Sequence, residues 1–446
     1  MRYLALLPGL FLTLMTSSQA DIFHYNNIVP GVNSAQFGGA YSALSADPSV
    51  LAFNPAGLAF VEENELSGSV QGYYQNNQNY KKAVGDADFS ENSGGGFSPF
   101  MGSAFNTNKY LQGSVAGFSL YTTDSLNQEQ NNLIENQAIG SRKIKRYSRI
   151  VHATAETAVK SAGLAKRWGT FSAGLALGLY TVNEIFQSYQ NSEIIQINAA
   201  NARSVALESY FQKISISALE PLLGVLYQVR PNLNVGLAIR KPLVLSEDYS
   251  SDFDSSQFAL DEQDNVLTIE GRRGVQKEVL AVISKNQVSS FPWGVNVGVA
   301  TVNNGGFTAA FELSYRSAVK SANTDFNRRQ LLNVSLGGEY KISPKINLRS
   351  GFFTNNDARP KLSADLNNQD DHIDYRGMTL FAEYALDKSR YSFGVIDQFG
   401  KGKAQKLQSS DGSPAPLQEV NGNRLSLVIG ISHILGDDKC APSNKN

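Results

Sequence analysis

The sequence predicts an all-β chain folded as a transmembrane antiparallel barrel. Three observations carry that expectation: an export signal at the start, an apolar period of two that recurs along the chain, and an asymmetry between short and long connections.

Export comes first. Arg2 supplies a positive start, Tyr3 to Met15 form a short apolar stretch broken by Pro8, Gly9 and Thr13, and small residues stand at Ser18 and Ala20. This is the three-part pattern of a secretory signal peptide over residues 1–20. The apolar stretch falls short of the roughly 20 residues that cross a bilayer as a helix. Cleavage after Ala20 leaves Asp21 first, with no Cys near the junction to take a lipid. No later apolar run is long enough for a spanning helix. A barrel stays open, because strands that alternate between two faces average to an ordinary hydropathy. The net charge of −1 calls for neither nucleic acid nor an acidic partner. The single Cys440, near the end, cannot close an internal disulfide.

The alternation is clearest late in the chain. In NRLSLVIGIS, residues Leu425, Leu427, Ile429 and Ile431 share one face, opposite Arg424, Ser426, Gly430 and Ser432. FTAAFELSY sets Phe307, Phe311, Leu313 and Tyr315 against Thr308, Glu312 and Ser314, and FSAGLALGLY sets Phe171, Leu175, Leu177 and Leu179 against Ser172, Gly174, Ala176 and Gly178. GMTLFAEYAL puts Met378, Leu380 and Tyr384 opposite Thr379 and Glu383, with Phe381 as an exception on the polar side. Such a period marks a strand with one apolar and one polar face. Tight links pair the strands: Arg230-Pro231-Asn232, Asn303-Asn304-Gly305-Gly306, Ser343-Pro344-Lys345 and Asp387-Lys388-Ser389-Arg390. These are hairpin signals.

The other connections read as long and polar, at about 76–96, 122–146, 191–209, 243–276, 355–375 and 400–423. Short turns on one side and long loops on the other are the asymmetry of an outer-membrane barrel, and the residues give roughly 14 to 16 strands. Closure follows from chemistry, since an open sheet edge in hydrocarbon leaves backbone groups unpaired at several kcal/mol each. The apolar face is then expected to meet lipid, with Glu312, Glu339, Arg349, Glu383 and Arg424 in the lumen.

Residues 21–61 differ from the rest. They run through Gly38 and Gly39, then Asn54-Pro55-Ala56-Gly57, where Pro55 fixes its own φ and keeps Asn54 out of helical geometry. The segment is too short to fold alone and needs a host, for which a wide lumen is suited. The barrel is expected over 62–435 and a polar tail over 436–446.

GGAYSALSADPSVLAFNPAGLA resembles the N-terminal signature of the FadL/TodX family of outer-membrane transporters for hydrophobic compounds. LLGVLYQVRPNLNVGLAIRKPL is similar to the family's paired strands, and VSLGGEYKISPKINLRSGFF to a late hairpin. The resemblance implies a barrel of 14 strands plugged by an N-terminal hatch in the lumen. It also implies passage of long-chain fatty acids or aromatic hydrocarbons through an apolar pocket and out through a lateral gap near a kinked strand. Asn54, Pro55, Ala56 and Gly57, with Gly38 and Gly39, would form the hatch motif, and Asp21 and its neighbours the mobile end that gates the path. One departure stands out: family barrels usually end on an aromatic residue, whereas here Ile434-Leu435 precedes GDDKCAPSNKN.

A pocket for apolar solutes is expected to be lined by Phe37, Tyr41, Phe53, Phe118 and Phe381. Arg142, Lys143, Lys145 and Arg146 cluster beside a long loop and are candidates for anion capture. No nucleophile, phosphate-loop or zinc motif is present, and His24, His152, His372 and His433 are far apart, so no enzyme activity, cofactor or metal is expected. The expected surroundings are the outer membrane of a Gram-negative bacterium, its lipopolysaccharide, the barrel-assembly machinery and a hydrophobic small molecule, with the chain a monomer. The alternatives are a similar barrel acting as a carrier or shuttle in protein secretion, and a hydrolase embedded in the barrel.

Overall fold

The computed structural model describes residues 22–435, apart from 45–46, 85–86, 95, 108–111, 140–141, 197–202, 261–264, 267, 270–271, 274, 285–287, 289, 303–305, 367–368 and 406–415. The expected signal peptide, Asp21, the tail and Cys440 lie outside the described residues.

Fourteen antiparallel strands close into one barrel. They are β1 (Glu65–Val84), β2 in two pieces (Ala87–Ser93 and Phe97–Asn106), β3 (Ser114–Ile139), β4 (Arg142–Trp168), β5 (Phe171–Gln196), β6 (Arg203–Arg230) and β7 in two pieces (Leu233–Arg240 and Leu243–Leu260). Next come β8 in two pieces (Val275–Ser284 and Gly294–Val302), β9 (Phe307–Arg316), β10 (Leu331–Ser343), β11 (Ile346–Asn355), β12 (His372–Leu386), β13 (Ser389–Ala404) and β14 (Gln418–Ile434). The last strand returns to the first, with Glu65 opposite Ile434 and Tyr80 opposite Val420. Closure leaves no sheet edge for lipid to strip of hydrogen bonds.

The faces are those the alternation predicts. Leu336, Leu380 and Ile429 are more than half exposed on the outside, while Glu312, Glu339, Arg349, Glu383 and Arg424 are buried inside. Exposed aromatic residues ring the short-turn end: Trp168, Phe171, Tyr227, Phe307, Tyr340 and Tyr384. Tyr315 and Trp293 lie outward at the other edge of the apolar belt. From Phe307 to Tyr315 a strand tilted by about 40° climbs about 20 Å, close to the height of a barrel's lipid-facing band. A surface this apolar is stable against hydrocarbon and not against water.

The long connections are a correction. Most of the residues expected in them continue the strands: β3 runs to Ile139, β4 starts at Arg142, β5 runs to Gln196 and β6 starts at Arg203. These strands have 26, 27, 26 and 28 residues, whereas about 9–11 cross the hydrocarbon. Beyond the lipid, water wets the outer face and the apolar alternation lapses, yet the backbone ladder continues.

Candidate functional site: the lumen and its wall

The described residues of 22–61 lie within the ring of strands and are mostly buried. A short helix, α1 (Val32–Gln36), is followed by two 3-10 turns, Pro48–Ala52 and Pro55–Phe60. Asp47 caps the first turn by accepting from the Ser49 backbone N–H at 2.6 Å. Asn54 caps the second, accepting from the Ala56 N–H at 3.1 Å. The fully buried Asn54 amide also donates to the Ser42 carbonyl at 2.7 Å and to the Val225 carbonyl of β6 at 2.9 Å. The Asn-Pro-Ala motif thus joins a cap to a weld between the segment and the wall.

The wall is notched to receive it. A Cβ on Gly224 would stand 1.9 Å from Asn54 Oδ1, and one on Gly174 2.5 Å from the Pro55 carbonyl carbon. On the far side a Cβ on Gly337 would meet Phe37 at 2.6 Å, and one on Gly351 the Gly38 nitrogen at 2.4 Å. Gly38 and Gly39 both have positive φ, the geometry that lets the chain turn there. Polar clamps complete the mounting. Glu312 accepts from the backbone N–H groups of Tyr41 (3.0 Å) and Ser42 (2.7 Å). Arg349 pairs with Glu339 at 2.5 Å and Glu383 at 2.8 Å and donates to Gln36. Buried ionic groups of this kind fix position more than they add stability.

Above the mounted part, the arm at residues 22–30 roofs a cavity of about 80 Å³. Its walls mix apolar and polar groups: Tyr121 of β3, Val159 of β4, Tyr180 of β5, Pro242 between the pieces of β7, and Phe291 and Pro292 beside β8 are joined by Thr123, Asp124, Thr157 and Glu220. Ile22, His24 and Tyr25 close it from the arm side, and Arg240 and Arg316 add two cations. Tyr180 meets Phe291 edge-on at 5.2 Å, and the Arg316 guanidinium lies 5.1 Å from the Tyr25 ring centre. A second space of about 50 Å³ shares Tyr25, Tyr121, Arg240 and Arg316 and reaches Phe53.

The ladder between β2 and β3 runs only from Phe100–Tyr121 to Asn106–Val115 among the described residues. Above it, Gly94 and Gly96 flank the interruption in β2, and Gln130 bridges by side chain, accepting from the Asn92 N–H at 3.3 Å and donating to the Ser90 carbonyl at 2.8 Å. Opposite, β3 bulges at Thr123, whose carbonyl accepts from the Ile28 N–H at 3.3 Å. A bulge re-aims backbone in this way.

The expected pocket residues divide. Phe53 borders the second space, whereas Phe37 and Tyr41 pack between the segment and the wall, with Tyr41 5.8 Å from the Phe53 ring. Phe381 is buried against Val29, Val32 and Ala35. Phe118 is a correction: it is 40% exposed on the outer face and stacks on Phe105 at 6.1 Å, because Gly117 takes the inward position. The cationic cluster lies at the far tip of β4, about 40 Å of strand from Arg146 to Val159. Lys145 there pairs with Glu193 at 3.0 Å, Lys143 is half-buried, Arg146 is exposed, and the Arg142 side chain lies outside the described residues. Tyr121, Tyr180 and Phe291 were not singled out from the sequence. Tyr180 had a signal, since it closes the small-residue face of FSAGLALGLY.

Among the described residues no group of side chains has metal-ligating spacing. Ser389 Oγ does lie 2.9 Å from His433 Nδ1, but this pair is exposed at the short-turn end and borders none of these cavities.

No family model and no curated protein matches the chain. Solved structures do. The P. putida toluene transporter TodX aligns with 91% of this chain and 98% of its own at a TM-score of 0.58 and 14% identity. A Pseudomonas aeruginosa FadL homologue aligns with 91% and 98% at 0.59 and 12% identity. The Ralstonia pickettii toluene transporter TbuX aligns with 92% and 100% at 0.55 and 14% identity. At these identities the likeness is one of fold, and it extends over the whole FadL-type architecture.

Proposed function

We propose that this chain is an outer-membrane uptake channel for small apolar molecules, working on the FadL/TodX plan. The observation that supports it most is the cavity rich in aromatic side chains, closed by the arm and neighbouring an interrupted wall, with a second space beside it that reaches Phe53 of the mounted segment. A water-filled pore gives an apolar solute no driving force; an apolar pocket does. The cavity of about 80 Å³ is smaller than the roughly 150 Å³ that houses a benzene ring, so a seven-carbon solute enters as the arm gives way. At about 0.8 kcal/mol per CH₂ its burial then contributes about 5–6 kcal/mol, a dissociation constant of roughly 0.1 mM that permits both loading and release.

In this reading the arm is the movable part. Its start, Ile22 to Asn26, is tied by His24 Nε2 to the Ile373 carbonyl at 2.7 Å, by the Asn26 N–H to Asn355 Oδ1 at 3.0 Å and by the Phe23 carbonyl to the Ala358 N–H at 3.1 Å, while Asn27, bonded to Asp124, Asn355, Gln398 and Arg424, anchors its other end. A solute that displaces the arm reaches the cavity, while residues 31–61 stay welded as the hatch and block water and ions. Release is sideways between β2 and β3, beside Gly94 and Gly96. Aromatic hydrocarbons and alkyl chains both suit the cavity walls. The extended strand ends face outward among lipopolysaccharide, and the barrel, inserted by the assembly machinery, acts as a monomer.

The test is uptake of radiolabelled toluene by proteoliposomes. Wild-type vesicles should load faster than empty ones, and Val159→Trp, which puts an indole into the cavity, should bring the rate back to the empty control. Equal rates for wild type and Val159→Trp, with both barrels intact, would remove the cavity from the route.

A further inference from the structure

The outer face of five adjacent strands, β12, β13, β14, β1 and β2, changes chemistry at the outer end of the apolar belt. From Tyr391 to Phe399 the outward side of β13 makes the same climb of about 20 Å as Phe307 to Tyr315. The next two outward residues, Lys401 and Lys403, are exposed. On β12, Leu380 and Met378 are more than half exposed, and exposed Arg376 follows them, opposite Phe399. The same rung continues in asparagine: Asn423 of β14 stands opposite Phe399, Asn77 of β1 opposite Asn423, and Asn92 of β2 opposite Asn77. One outward position higher, Lys401, Asn421, Asn79 and Ser90 line up in the same order.

Among the described residues Arg376, Lys401 and Lys403 make no ion pair, and the side chains of Asn77, Asn92 and Asn421 make no hydrogen bond. Of the carboxylates on this face, Asp374 pairs with Arg329 at 3.5 Å, Asp397 accepts from Asn423 Nδ2 at 3.1 Å, and Glu419 stands opposite Lys403. Depth sorts the cations from the amides. Strands in a barrel tilt, so a rung climbs as it passes around the wall. The last apolar outward residue is Met378 on β12 and Phe399 on β13, but on β2 it is Phe97, one rung below Met378 and two below Phe399. The cations therefore stand at the edge of the belt and the asparagines of β1 and β2 farther out. On the other side of the barrel, β7 instead presents exposed Asp248 and Asp252 above Leu245.

We propose that this face is a docking surface for a phosphorylated glycolipid of the outer leaflet, the lipid end of lipopolysaccharide. Its acyl chains lie along Met378, Leu380, Phe393 and Phe399, its phosphates meet Arg376, Lys401 and Lys403, and its sugar hydroxyls meet the amides of Asn77, Asn92 and Asn421. Apolar surface, then cations, then neutral donors and acceptors is the order in which such a molecule presents its own parts. An anionic phospholipid would use the cations and leave the amides idle. The proposal rests on the outer-membrane placement above and not on what the cavity carries. Docked there, the glycolipid borders the interrupted wall between β2 and β3.

The test uses the full mature barrel in detergent, with a chelator present so that no divalent ion can bridge carboxylates to phosphate. Deep-rough lipopolysaccharide of defined mass is titrated in, and native mass spectrometry follows the first molecule bound. Arg376→Ala/Lys401→Ala should weaken that affinity by about tenfold. Lys160→Ala/Lys213→Ala, which removes two exposed outward cations from β4 and β6, should leave it nearly unchanged. Asn77→Ala/Asn421→Ala should weaken binding of lipopolysaccharide by about fivefold and that of phosphatidylglycerol not at all. Equal losses in the two cationic pairs, no loss in the asparagine pair, or phosphatidylglycerol displacing lipopolysaccharide mole for mole overturns the glycolipid surface. A heat-modifiable wild-type barrel that binds no lipopolysaccharide overturns it too, and leaves the uptake reading standing. A chain absent from the outer-membrane fraction removes the placement on which both rest.

Discussion

At the scale of single residues, Asn54 joins local and global structure. Its side chain caps one 3-10 turn and reaches two carbonyls that no water can serve. Asn54→Ala leaves the Ser42 and Val225 carbonyls and the Ala56 N–H without these partners, at a cost of about 2 kcal/mol or more. The loss is local, because the barrel ladder is untouched. Hydrogen exchange at residues 54–61 should therefore rise roughly thirtyfold while the barrel's own unfolding is little changed. Unaltered exchange would show that the glycine notches hold the segment without the asparagine. The motif was visible in the sequence as a turn with Pro55 at its start, but its welding role was not. The Val225 carbonyl lies 171 residues away, and only closure of the barrel brings it to Asn54.

At the scale of elements, each strand carries two programmes. Within the lipid band one face must be apolar, and the alternation is legible residue by residue; above the band only the ladder remains. That is why β9, predicted at 307–316, has those bounds, while β3 and β6 extend far into stretches expected to be loops. Phe311 lies on the outer face of β9, midway between Phe307 and Tyr315. Phe311→Arg should cost about 2–4 kcal/mol in unfolding measured in bilayers, falling toward zero for arginine at the band edge. An equal cost at both depths would mean that this face does not meet hydrocarbon.

At the scale of the whole molecule, the barrel and its contents form one mechanical unit. The strands close on themselves, so unfolding has no edge from which to fray, and the mounted segment braces opposite walls. A detergent-solubilised sample should migrate fast on a cold gel and near its calculated mass after boiling. A single band unaffected by heat, found in a soluble periplasmic fraction, would refute the transmembrane barrel. The extended strands stand clear of the band by about 15 residues, so proteases outside the membrane should trim the tips of β3 to β6 before reaching the belt.

What the sequence determined by itself is whatever depends on neighbours two residues apart or on a single turn: which face of each strand is apolar, where the tight hairpins fall, and that residues 21–61 need a host. Those properties are set by alternation, by proline and glycine backbone limits, and by the cost of unpaired backbone in lipid. Tertiary structure decided the rest. The cavity is assembled from Tyr121, Val159, Tyr180 and Phe291, each on a different strand or link, and no local pattern connects them. Phe118 faces outward while Gly117 faces in, because the wall must make room for Leu51 and Leu58 behind it.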